Sequence, residues 1–145
     1  MLLKSFFINS EYKDIKYCRE EIKKISKKYD FFEEFHSYIE LALGEALTNV
    51  IKHGQKKLIE KPGININVFL ENNSILLDIS FEGEIIDENI LNKGKHLNDS
   101  LNINTLSESG RGIFLIHTLM DEVEYYQEND LVKIKMKKFL KKNEK

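Results

Sequence analysis

The chain has 145 residues, enough for one domain that buries about two-thirds of the surface its unfolded form exposes. Its composition, 41% hydrophobic and 32% charged, excludes a disordered or fibrous chain. A net charge of −2 with a pI near 6.1 excludes the global positive field that would draw it to nucleic acid or an anionic membrane.

"LLKSFFI" (2–8) reads as a strand, and the opening "MLLKSFFINSEY" turns polar too soon for a signal peptide. No apolar run approaches the roughly 18 residues of a membrane span. Residues 11–29 place Ile15, Cys18, Ile22, Ile25 and Tyr29 at helical spacing, with Ser10 as the expected N-cap. Cys18 is the lone cysteine, which rules out an intramolecular disulfide, fits a reducing cytoplasm, and on this apolar face reads as core. "DFFEEFHSYIELALGEALTNVIKHG" (30–54) is a longer, more apolar helix, capped by Asp30 and stopped by Gly54. Pro62 and Gly63 punctuate a turn. "INVFL" and "SILLDISF", separated by "ENN", form a hairpin. Residues 87–109 are polar and Asn-rich, "GIFLIHTLM" (112–120) is a short helix, and "VEYYQENDLVKIKM" (123–136) is a second hairpin with one packed and one exposed tyrosine. The Lys-rich end, 137–145, reads as a solvated tail. This order predicts an α+β fold in one domain, 1–145: a two-layer sandwich of mostly antiparallel sheet covered on one face by helices.

Three features point to chemistry. The first lies in "LALGEALTNVIKHG" (41–54). At 100° per residue, Asn49 falls about 40° and His53 about 80° around from Glu45, with Lys52 about 20° the other way. Alone, this stripe fits a solvated helix face as well as a site. It is nonetheless narrow and chemically mixed. A carboxylate can accept a proton from a hydroxyl, and an amide oxygen can ligate a hard cation such as Mg²⁺. The second feature is "SESGRGIFLIHTLMDEV", where Gly110 and Gly112 bracket Arg111 at a helix start, a place where backbone N–H groups and the helix dipole favour an anion. The third is the structureless stretch 87–109, whose length suits a lid. No pair among His36, His53, His96 and His117 has zinc-ligand spacing.

Together these residues carry a resemblance. "GEALTNVIKHG" resembles the Glu-x-x-x-Asn box of the GHKL ATPase superfamily. "ESGRGIFLIHTLMDEVEY" is similar to the second glycine box of that superfamily's anti-sigma-factor, serine-protein-kinase branch. The resemblance spans nearly the whole chain and implies a Bergerat-type ATP-binding fold with ATP and Mg²⁺ as cofactors. It makes Glu45 the general base and Asn49 the Mg²⁺ ligand. His53 would stand at the site's edge, and Gly110, Arg111 and Gly112 would hold phosphates beneath a lid at about 88–109. It implies an anti-sigma factor that phosphorylates an antagonist protein on serine or threonine, binds a sigma factor, and works in the cytoplasm without nucleic acid or membrane. It is also compatible with a homodimer.

In "LLDISFEGEIID" (76–87), Gly83 and Asp87 fit the first glycine box. The position where the family carries an adenine-binding Asp holds Phe81 instead. Asp78 is offset by three residues, which on a strand turns it to the opposite face. The threonine that many members carry at the start of the last strand is also replaced, in "NDLVKI". Losing a charged acceptor for a buried donor costs about 1.5–3 kcal/mol. Two readings stay open: an ATP-dependent kinase, favoured by Glu45 and Asn49, and a non-catalytic binding module that regulates by protein contact, favoured by Phe81. A free-standing histidine-kinase catalytic domain is a weaker third, for want of a preceding dimerisation and phosphoacceptor segment.

Overall fold

The structure, a computed structural model, describes residues 1–29, 33–54, 63–84 and 108–140. Its elements in chain order are β1 (Leu2–Asn9), α1 (Lys13–Lys28), α2 (Glu33–Asn49), a π-helical turn (Val50–Gly54), β2 (Gly63–Glu71) and β3 (Ser74–Glu82). After these come α3 (Glu108–Leu119), β4 (Glu122–Glu128) and β5 (Leu131–Phe139). The strands form one sheet in the order β1-β2-β3-β5-β4, every neighbouring pair antiparallel.

The alternating apolar residues of the strands explain the two layers. Ile64 pairs with Phe81 and Phe81 with Val132; Ile66 pairs with Ile79 and Ile79 with Ile134; Val68 pairs with Leu77 and Leu77 with Met136. These rows are buried and point toward the helices. A period of two sends the intervening Asn65, Asn67, Asp78, Lys133 and Lys135 to the other face. Asp78 therefore sits opposite Asn67 and Lys135, on the face away from Phe81, as its offset predicted. The β2–β3 loop is two residues, Asn72 and Asn73, with φ of 47° and 65°. Asn tolerates that left-handed backbone better than other side-chain-bearing residues, and such turns match the sheet's twist.

On the covered face α2 packs between α1 and α3. Ile22 and Cys18 of α1, Ile39, Leu43 and Leu47 of α2, and Ile116 of α3 are almost wholly buried in a single core. Burial pushes the Cys18 thiol up to about 12, with Asp14 and Glu21 adding to the effect, so it is an inert packing group. The α+β sandwich read from the sequence is the observed architecture. Among the described residues no helix is long and apolar enough to cross a membrane.

Four details differ from the sequence reading. Ser10 is not the N-cap: α1 begins at Lys13 after Tyr12, which makes no side-chain cap. Backbone bonds from Glu11 N to Asn9 O, Asp14 N to Glu11 O and Ile15 N to Tyr12 O wind the entry instead. The second helix does not stay α-helical to Gly54, because Val50–Gly54 widens into the π turn. Helix α3 starts at Glu108, ahead of Gly112, so 108–109 belong to a helix and not to a lid. Finally, Lys137, Lys138 and Phe139 belong to β5, paired with Leu76, Ile75 and Ser74. Lys138 lies 4.9 Å over the Tyr38 ring and 3.8 Å from Asp121 Oδ2, so aromatic and acidic partners hold what reads locally as a solvated end. Asp30, Pro62, Asp87, the rest of the expected lid and 141–145 lie outside the described residues.

Candidate functional site

Helix α2 buries Ile39, Ala42, Leu43, Ala46 and Leu47, and the π turn after it buries Val50, which fixes its rotation against the sheet. That rotation leaves Glu45 and Asn49, one turn apart, half-buried on the side toward α3, while Lys52 and His53 are exposed. The polar stripe is thus not uniform. Its first half is sheltered between helices and its second half meets solvent. The π turn immediately after Asn49 interrupts the i→i+4 ladder there, a distortion often found beside functional residues.

Helix α3 supplies the facing wall. Gly110 and Gly112 are buried and Arg111 is exposed, all within its first turns. A Cβ at Gly112 would lie 2.8 Å from Glu45 Oε1 and 3.6 Å from Asn49 Nδ2. Any larger residue would push into the carboxylate, so glycine here is a condition for the close approach of α3 to the two polar groups. The obstructing atom is the far end of a flexible side chain. Gly112→Ala should therefore leave the melting temperature unchanged or slightly higher, since Ala is favoured over Gly in a helix by about 1 kcal/mol. It should also displace the Glu45 carboxylate from the junction, which a structure of the variant would read out; a carboxylate left in place would show that Gly112 does not constrain it.

Next to this junction lies a narrow slot whose empty space, counted together with the solvent at its open mouth, is about 360 Å³. Ala46 of α2, Val50 of the π turn, Phe81 of β3, Ile113 and Ile116 of α3, and Val132 of β5 make it apolar; Asn49 and Glu84 contribute polar groups, and Tyr125 of β4 lines it too. Phe81, 4% exposed, stands in the wall where an acceptor was expected. The Tyr125 hydroxyl is buried and has no hydrogen-bond partner among the described residues, and burial pushes its phenol up. Its ring lies 6.3 Å from that of His117 on α3, and Tyr126, the next residue, is exposed.

The fold thus brings together Glu45, Asn49, Gly112 and Phe81 of the residues singled out from sequence. It leaves His53 and Arg111 exposed and outside the slot's lining. Gly83 is fixed against the β4–β5 turn: its N–H donates to Asp130 O and its carbonyl accepts from Gln127 Nε2, both at 2.9 Å. That attachment sets Glu84, which sequence reasoning overlooked, at the slot. Tyr125 was visible only as a packed strand tyrosine. His36 is a half-sheltered histidine whose Nδ1 lies 3.0 Å from Glu40 Oε2, away from this slot. Among the described residues no His/Cys/Asp/Glu group has the arrangement of a metal cluster.

Residues 8–138 match the family described as the histidine kinase-like ATPase domain. The chain is 41% identical over 107 residues to the serine-protein kinase RsbW of Staphylococcus epidermidis, covering 72% of this chain and 65% of that protein. It is 37% identical over 117 residues to the serine-protein kinase RsbW of Staphylococcus aureus strain bovine RF122, covering 80% of this chain and 70% of the relative. The chain therefore spans about two-thirds of the length of these relatives, 65% in the first case. Its fold is similar to the crystal structure of the RsbU and RsbW domains of Rv1364c from Mycobacterium tuberculosis. The TM-score is 0.67 and the identity 11%, over 94% of this chain and 32% of that one.

Proposed function

This chain belongs to the histidine kinase-like ATPase domain family, and from that premise we propose that it is an ATP-dependent protein serine/threonine kinase that also acts as an anti-sigma factor. Its partners are a sigma factor and an antagonist protein carrying the phosphoacceptor hydroxyl, and it works in the cytoplasm. The observation that carries this reading is the junction of Glu45, Asn49 and Gly112, where a glycine keeps room for a carboxylate and an amide at the start of a helix. A purely structural contact has no physical need for that room.

The residues fit a magnesium nucleotide. The apolar slot suits a flat ring, the first turns of α3 suit phosphate oxygens, and Asn49 is a neutral oxygen donor for a hard cation. Bound MgATP supplies the phosphoryl group and the cation that offsets its charge. Asn49 would hold the cation through its amide oxygen. Glu45 would take the proton from the attacking serine or threonine hydroxyl at a carboxylate oxygen, from a half-buried place beside the start of α3. Gly110, Arg111 and Gly112 would position phosphate, Arg111 from an exposed place on the first turn of α3. His53, exposed just after Asn49, would stand at the site's edge, and Gly83 with Asp87, the latter outside the described residues, would belong to its first glycine box.

Phe81, packed into the slot wall, favours a second reading: a binding module that has lost nucleotide chemistry and regulates by contact alone. The melting temperature separates the two. A ligand that binds only the native state stabilises it by about 2.7 kcal/mol at a hundredfold excess over Kd. For a domain of this size that corresponds to a rise of roughly 5–10 °C. We expect such a rise with saturating MgATP; an unchanged midpoint at millimolar MgATP would leave the binding-module reading in place.

A further inference from the structure

Tyr125 packs against the core yet carries a polar end that packing does not require. On β4 it stands opposite Ile134, on the face that carries the core rows, and it walls the slot next to His117 of α3. A phenylalanine would pack there equally well, yet the side chain carries a buried hydroxyl that no described group satisfies. Such an orphan costs free energy, and replacing it by an apolar group is usually neutral or stabilising. Of the slot's lining, Ala46, Val50, Phe81, Ile113, Ile116 and Val132 offer no side-chain hydrogen bond, and the two polar members, Asn49 and Glu84, make none to this hydroxyl. The slot is apolar enough to hold a flat heteroaromatic ring, and such a ring brings polar edge atoms that need partners.

We propose that the Tyr125 hydroxyl is the polar contact for the nucleobase in this slot, a specificity residue standing in for the acceptor that Phe81 lacks. The proposal rests on the nucleotide reading of the site given above. A phenol both donates and accepts and rotates to suit. It can take a hydrogen bond from an amino group or give one to a ring nitrogen or a carbonyl. The wild type should therefore discriminate only weakly between ATP and GTP.

Isothermal titration of wild type, Tyr125→Phe and Tyr126→Phe with MgATP, together with melting curves of all three without nucleotide, tests this. The exposed Tyr126 is the control. Tyr125→Phe should weaken MgATP binding by about three- to tenfold, the loss of one neutral hydrogen bond, and melt no lower than wild type when free. Tyr126→Phe should bind within about twofold of wild type. Equal MgATP affinity in wild type and Tyr125→Phe would overturn the role of Tyr125 alone. A clear fall in the melting temperature of nucleotide-free Tyr125→Phe would do the same, because it would reveal a partner for the hydroxyl within the fold. A wild type that takes up no MgATP would remove the nucleotide reading itself, and this proposal with it.

Discussion

Glu45→Gln should lower phosphotransfer by about 10²–10⁴ while leaving nucleotide affinity within a few fold, the signature of a lost proton acceptor. Gln matches Glu in shape and keeps an oxygen for hydrogen bonding, so the variant tests protonation and little else. The geometry makes the test sharp. Glu45 sits on a helix held rigid by Leu43, Ala46 and Leu47, and Gly112 approaches its carboxylate closely enough that even a methyl would touch it. An amide of the same size fits the same space, so a large drop reflects chemistry and not repacking. ADP formation, followed with and without a phosphoacceptor protein, gives turnover; titration with MgATP gives affinity. Unchanged turnover would show that the carboxylate is structural. A matching loss of affinity would show that it binds nucleotide instead of moving a proton.

How far such residues could be read without the fold depends on the range of the interaction behind each. The rows of Ile66, Ile79 and Ile134 follow from alternation with period two, and the Asn72–Asn73 turn follows from backbone chemistry confined to two residues. Glu45 and Asn49 share a side because four residues make about one turn. Each of these is local. The entry to α1 was missed because main-chain carbonyls of Asn9, Glu11 and Tyr12, which every sequence possesses, do what a side chain was expected to do. Lys137 and Lys138 read as tail because a lysine run has the composition of solvent-facing coil; Lys137 does face the open side of the sheet with Lys133 and Lys135, but Lys138 shares the covered face with Met136, and its partners, Tyr38 and Asp121, lie on other elements. The slot itself was invisible for the same reason. Ala46, Phe81, Ile113 and Val132 come from four elements, each marked by its own periodicity only as core. The orphan hydroxyl of Tyr125 is a statement about what fails to surround it, and no local pattern encodes that.

Phe81→Asp should tighten MgATP binding by about one to two orders of magnitude, the size of a charged hydrogen bond, while lowering the stability of the free protein. The two effects have separate origins. Phe81 is almost fully buried and pairs with Ile64 and Val132 across the sheet, so removing its ring costs about 3–5 kcal/mol of packing. A carboxylate in its place is desolvated by Ala46, Val50 and Ile113, which adds to that cost until a donor arrives. An amino group on the base is such a donor, and the stability returned by MgATP should be larger in the variant than in wild type. GTP should gain less, because guanine presents a carbonyl oxygen where adenine presents its amino group, and that oxygen would face the new negative charge. A hydroxyl at Tyr125 adapts to either base; a carboxylate at position 81 does not. The variant should therefore widen a narrow ATP/GTP preference as well as raise affinity. Titration with both nucleotides and melting curves of both proteins decide the matter. A wild type silent toward millimolar MgATP, beside a variant that only loses stability, would mean that Phe81 fills an abandoned pocket and that this fold regulates its partners by contact alone.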